Sequence, residues 1–108
     1  PVFAMGDFND TPDGSAFDII NNHLVNKGLE LHREGEGTIR YEGKWELIDM
    51  FLVGQEWSGY SVMEICRVPF LMVWDRKHPG EKPFRTFSGP RYIGGVSDHC
   101  PIVLKLIK

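Results

Sequence analysis

Trp45-Glu46-Leu47-Ile48-Asp49-Met50-Phe51-Leu52-Val53 is the clearest strand in this chain of 108 residues. Leu47, Phe51 and Val53 fall on one face, and Ile48, Met50 and Leu52 on the other. An apolar run on both faces describes a central strand, covered above and below. Gly54 closes it. Within the run stands Asp49, and an ionised carboxylate in a covered strand costs on the order of several kcal/mol unless it is paired. A salt bridge to an arginine is one resolution. The other is that Asp49 orients a histidine, fixing its tautomer and favouring imidazolium. His99 is the candidate, because it begins a strand that could lie beside this one.

Toward the N-terminus, Pro1 to Met5 reads as a short buried strand running into Gly6-Asp7-Phe8-Asn9-Asp10. Asp7 and Asn9 are two apart at its end, so strand alternation points both side chains the same way. A carboxylate and an amide over one spot suit a water or a hard cation. The same two residue types are also the usual turn formers. Asp10 to Ser15 is dense in turn and cap residues, and Asp13 or Ser15 can cap a helix from about Ala16 to Val25. Phe17, Ile20, Leu24 and Val25 carry its apolar spacing, and Gly28 ends it. Leu29 to Arg33 reads as a weak strand, and residues 34–37 as a loop.

Toward the C-terminus, Tyr60 to Val68 is a second strand. Phe70 to Trp74 suits either a short helical turn or a strand, and Asp75 to Pro83 reads as a charged loop turning at Pro79-Gly80. Arg85-Thr86-Phe87 reads as an edge strand. The last strand, Cys100 to Leu106, follows the glycine-rich approach Tyr92-Ile93-Gly94-Gly95-Val96-Ser97-Asp98-His99.

Composition sets bounds on function. Hydrophobic content of 42% with 25% charged residues is ordinary for a globular chain, and the length suits one domain over residues 1–108. The net charge is −3 and there is no lysine or arginine run, so no nucleic-acid face stands out. Two cysteines, Cys66 and Cys100, make no disulfide framework and fit no zinc spacing; they read as two buried thiols sooner than as a bridge, the alternative being that strands bring them together. No apolar run reaches membrane length. The chain opens on what looks like the middle of a strand, which leaves its compartment unknown.

Ser97, Asp98 and His99 do not form a hydrolase triad: adjacent residues cannot chain hydrogen bonds from hydroxyl to imidazole to carboxylate, and no nucleophile elbow is present. His23, His32 and His78 read as surface or helix histidines, and Trp45 and Trp57 as core or rim aromatics.

Three segments, Gly-Asp-Phe-Asn (6–9), Leu-Ile-Asp-Met-Phe-Leu-Val (47–53) and Ser-Asp-His-Cys-Pro (97–101), resemble in order and spacing the last three motifs of the endonuclease/exonuclease/phosphatase superfamily. That superfamily includes DNase I-like nucleases, inositol polyphosphate phosphatases and sphingomyelinases. Lys82-Pro83-Phe84-Arg85-Thr86-Phe87, Gly89-Pro90-Arg91-Tyr92 and Gly94-Gly95 look like a bacterial branch of uncharacterised members. The resemblance implies that Asp7 positions or activates the attacking water and that Asn9 hydrogen-bonds the phosphate or that water. It implies that Asp49 orients His99 against the phosphoryl oxygens, with Asp98 near a divalent cation, Mg²⁺ or Mn²⁺. Arg85, Arg91 and Tyr92 are candidates for lining the substrate loop, with loop anchoring as the alternative role. The implied chemistry is in-line attack of water on a phosphate ester, nucleic acid being one candidate substrate.

The superfamily's first half also supplies an asparagine, the main metal-binding glutamate and a further histidine, and none of their motifs is here. The expectation is therefore a C-terminal portion that is inactive alone, a fragment rather than a natural half-enzyme. The full fold implied is a four-layer α/β/β/α sandwich. This chain is expected to form a two-layer α/β unit: one sheet of about four to six strands, by usual sheet sizes, with the helix at 16–25 on one face. The opposite face would be left apolar, and self-association through it is expected. The alternative function is a non-catalytic binding module that keeps the fold.

Overall fold

The computed structural model describes residues 2–107; Pro1, assigned above to the first strand, lies outside the described residues. The centre of the molecule is β5, Asp49–Gly54, paired antiparallel on one side with β1, Phe3–Asp7, and on the other with β2, Leu24–Asn26. Every residue of β5 after Asp49 is buried, as a strand covered on both faces requires. The expected strand from Trp45 is interrupted, however. Lys44–Glu46 forms β4, a hairpin partner of β3, Ile39–Tyr41, joined by a turn at Glu42 and Gly43 with positive φ at both. Positive φ at both turn residues matches the twist of a tight hairpin. Leu47 and Ile48 link β4 to β5 and are buried in the core.

The chain does not form one sheet with a helix on one face. Besides β1-β5-β2, four two-stranded antiparallel ladders are present among the described residues: β3-β4, β7-β8, β9-β10 and β6-β11. Here β6 is Ser61–Ile65, β7 Met72–Asp75, β8 Gly80–Pro83, β9 Phe87–Ser88, β10 Arg91–Tyr92 and β11 Ile102–Leu106. The helix expected at 16–25 is replaced by two 3₁₀ turns, Ser15–Phe17 and Ile20–Asn22, and then β2. Asn21, Asn22 and His23 are poor helix formers. Val25 gains more by pairing with Val53 in the buried sheet than by ending a short helix.

The opposite correction falls at residues 29–33. The expected strand is α1, Leu29–Arg33, with Glu30 in its first turn and His32 and Arg33 in its last, an order favourable to the helix dipole. Gly28 therefore precedes a helix and ends none. A second short helix, α2, spans Gln55–Ser58. The expected loop at 75–83 shrinks to residues 76–79, because Asp75 pairs with Gly80 and Met72 with Pro83. Phe70 to Trp74 divides between a 3₁₀ turn at Pro69–Leu71 and β7.

The core gathers Phe17, Leu47, Met50, Phe51, Leu52 and Met63, with Ile65, Ile102 and Leu104 packed against it. Met63, Ile102 and Leu104 alternate with the exposed Val62, Glu64, Val103 and Lys105, so β6-β11 has an inner and an outer face. Both cysteines are free thiols, Cys100 buried and Cys66 half-buried. No helix among the described residues is long and apolar enough to cross a membrane, which leaves strand-built spans untouched.

Candidate active site

The antiparallel register sets Asp7 directly opposite Asp49. Two like charges in a cross-strand pair repel, so this pairing needs a cation between or beside them. His99 supplies it. Its Nδ1 lies 2.7 Å from Asp49 Oδ2, while its Nε2 lies 3.9 Å from Asp7 Oδ2 and 3.8 Å from Asp98 Oδ1. The loops at the two ends of the chain thus meet around one imidazole.

Thr38, which the sequence reading passed over, ties this arrangement together. Its side chain is fully buried, and its hydroxyl donates to Asp49 Oδ2 at 2.6 Å. The Thr38 hydroxyl oxygen in turn accepts from the Ile48 and Asp49 amides at 3.3 and 3.4 Å. Its backbone carbonyl accepts from the Cys100 amide at 2.7 Å, next to His99 itself. One residue therefore fixes both the acid and the loop bearing the imidazole. The only signal for it was indirect: an interior carboxylate wants more than one donor, and a buried threonine hydroxyl can be the second.

The loop before His99 is held locally. The His99 amide donates to Ser97 Oγ at 3.0 Å, closing a turn that leaves Asp98 exposed. Gly95 and Val96 donate backbone hydrogen bonds to Arg85 O and Phe84 O, both at 2.9 Å.

Burial works against charge on His99, but the hydrogen bond and charge of Asp49, then the charges of Asp98 and Asp7, outweigh it and hold the imidazole pKa above its ordinary value. With Nδ1–H donated to Asp49, the protonated ring has Nε2–H as its second donor. His99 borders a cleft of about 330 Å³, lined also by Asp49, Met5, Gly6, Phe51, Ser97 and Pro101.

Asn9 is placed differently from the strand argument. The strand ends at Asp7, and Asn9 takes a left-handed φ of 53° while its amide donates to Asp7 Oδ1 at 2.8 Å. The alternation that was to align the two side chains therefore stops one residue short. Asn9 contributes its backbone, fixing Asp7, and its side chain makes no hydrogen bond among the described residues to Asp7, Asp49 or His99. Arg85 borders a second cleft of about 430 Å³ that also touches Ser97 and Asp98. Arg91 and Tyr92 lie on the exposed β9-β10 ribbon, Tyr92 edge-on to Phe87 at 5.8 Å, and neither borders the cleft at His99.

Asp7, Asp49 and His99 place ligand-type atoms within 4.8 Å of one another. As a Mg²⁺ or Mn²⁺ site the trio is incomplete. Asp49 Oδ2 already accepts from both Thr38 and His99, Asp7 Oδ1 accepts from the Asn9 backbone amide, and hard cations prefer oxygen to imidazole. Asp98, expected near the cation, falls outside the trio although it faces His99 Nε2. The geometry is that of an acid-braced imidazole beside a free carboxylate.

The family model described as Endonuclease/Exonuclease/phosphatase family matches residues 1–108. No curated protein and no solved structure matches the chain.

Proposed function

Because the chain belongs to the endonuclease/exonuclease/phosphatase family, we propose that it supplies the phosphoryl-binding half of a divalent-metal-dependent phosphoesterase. The reaction is in-line attack of water on a phosphate ester. His99 presents Nε2–H to a phosphoryl oxygen, and Asp49 holds the ring and its charge in place. Thr38 keeps Asp49 in position through their 2.6 Å hydrogen bond. Asp7, whose Oδ2 is open, orients the water, and Asn9 fixes the other oxygen of Asp7 through its amide. Mg²⁺ or Mn²⁺ would neutralise charge developing on the phosphoryl group, with oxygen ligands beyond this trio.

The observation that supports this reading is the Thr38–Asp49–His99 relay standing opposite Asp7, with both ends of the chain committed to it. Hydrolysis of bis(p-nitrophenyl) phosphate with Mg²⁺ tests it. In the natural protein, His99→Ala lowers the rate on the order of a hundredfold or more, the usual contribution of a positioned proton donor. An unaffected rate would refute the assignment. Residues 1–108 alone should turn over little, since two partly occupied carboxylates and an imidazole offer too few oxygen ligands for the cation; brisk hydrolysis would overturn the half-site reading. The incompleteness of the trio also favours a second reading, a module that binds phosphate esters without cleaving them. Phosphate binding at His99 with no hydrolysis in the natural protein would select it.

A further inference from the structure

Away from His99, the β3-β4 and β7-β8 hairpins and residues 85–93 enclose a cleft of about 370 Å³. Arg40, Lys77, Lys82 and Arg85 border it, against Asp75 and Glu42, so it is cationic in a chain whose net charge is −3. Arg40 is built in: its side chain is only 7% exposed. A Cβ at Gly80, where φ is +143°, would come within 2.7 Å of its Nη2.

Yet its guanidinium is poorly used. Nη1 reaches Asp75 Oδ2 at 3.4 Å and Nη2 reaches Pro79 O at 3.3 Å, both long, and the buried Nε has no partner. Asp75 is shared further, with Lys82 Nζ and His78 Nδ1 each at 3.9 Å. Lys77 and Arg85 have no acid within salt-bridge reach among the described residues. A fixed guanidinium with only long hydrogen bonds, flanked by Lys82 sharing the same acid and by the unpaired Lys77 and Arg85, is a cradle for an anion.

Its connection toward the His99 loop runs through Arg85. Arg85 borders both this cleft and the one touching Ser97 and Asp98. Backbone hydrogen bonds from Ile93 to Thr86, Gly95 to Arg85 and Val96 to Phe84, each 2.9 Å, lock the arginine segment onto the approach to the His99 loop. The geometry points to a second phosphate subsite at Arg40, Lys82 and Arg85, occupied by another phosphate of the ester whose reacting phosphate lies at His99. This rests on the function proposed above and narrows it: the substrate carries at least two phosphates.

Titrating inorganic phosphate into the ¹⁵N-labelled protein and following backbone amides tests the subsite directly. The amides of Lys77, His78, Lys82 and Arg85 shift with saturation, and in Lys82→Gln/Arg85→Gln the affinity falls about tenfold, as for loss of charged contacts. Both residues are surface side chains, so the fold should survive. If those amides stay still while those of residues 97–100 move, the subsite is refuted and the His99 site stands. If only residues 77–85 respond, the subsite stands and the His99 reading fails. A 5′-phosphorylated dinucleotide and a sugar bisphosphate then distinguish the source: either supports the subsite by shifting both groups of amides at lower concentration than inorganic phosphate. If neither binds more tightly than phosphate, the two sites do not share one ligand.

Discussion

Two sequestered carboxylates, Asp49 and Asp75, solve the same problem with different partners. Asp75 is held by the Lys77 and His78 amides at 3.0 and 3.2 Å and faces Arg40 and Lys82. Burial raises its carboxyl pKa, but those amides and cations more than reverse this and hold it below the ordinary range. Asp49 instead accepts from an uncharged hydroxyl, Thr38, and from a titratable imidazole, His99. A carboxylate held by amides and permanent cations is a fixed strut. One held by a histidine at a cleft mouth keeps a partner whose charge and outward N–H are available for chemistry. Residue type and burial do not separate the two; the partners do.

The largest effect that would break this contrast is catalytic. Asp49→Asn should lower the phosphate-ester hydrolysis proposed above on the order of a hundredfold, because His99 loses both orientation and charge. Steady-state kinetics should place the loss in kcat more than in KM, and a mutant at full kcat would make Asp49 another strut. Asp75→Asn should act on folding instead. It leaves Arg40, already under-paired, without its counter-charge, so the thermal midpoint drops clearly while the titration of His99 is unmoved. Unchanged melting would show that the β7-β8 strut contributes nothing.

These differences bear on what could be read from the chain alone. Asp49 was legible because an acid within an apolar run must be paired, and His99 was the partner named for it; the strand after His99 pairs with β6 rather than with β5, so the imidazole reaches Asp49 from a loop and not from a neighbouring strand. The Asp75 strut was not legible. Its ligands are mostly backbone amides of the following turn, and residues 75–83 carry so many charges that a solvated loop reads as well as a hairpin. The errors at 16–25 and 29–33 share one cause. Both segments are too short for local periodicity to decide, so pairing with the buried Leu52 and Val53 made a strand of Leu24–Asn26. Thr38 left no periodic or motif signal, because its role exists only once Asp49 and the residue after His99 have converged on it.

A smaller effect sharpens the contrast from the Thr38 side. Thr38→Val keeps the volume but removes the donor to Asp49, and a carboxylate that loses one of two donors costs about 1–3 kcal/mol. Chemical denaturation should show that loss. Catalysis should fall less than in Asp49→Asn, since His99 keeps its acid. A Thr38→Val protein as stable as the parent would mean that water replaces the hydroxyl.

The finest test is pH, because Asp75 and the His99 partner of Asp49 lose their contributions at opposite ends of the scale. Asp75 has a lowered folded-state pKa, so its contribution to stability is present above the ordinary carboxylate range and lost as pH falls through the lowered value. His99 has a raised one, so its contribution is complete below the ordinary value of about 6.5 and lost as pH rises through the raised value. The His99 Cε1 proton, followed by NMR, should therefore titrate above about 6.5 in the parent. Asp49→Asn removes the strongest interaction opposing desolvation, so the midpoint should fall and the alkaline decline in stability should shrink with it. The acid-side decline from Asp75 should be unchanged. If the His99 midpoint is the same with and without Asp49, the imidazole is held charged by Asp7 and Asp98 alone, and the interior acid is no more than a second strut.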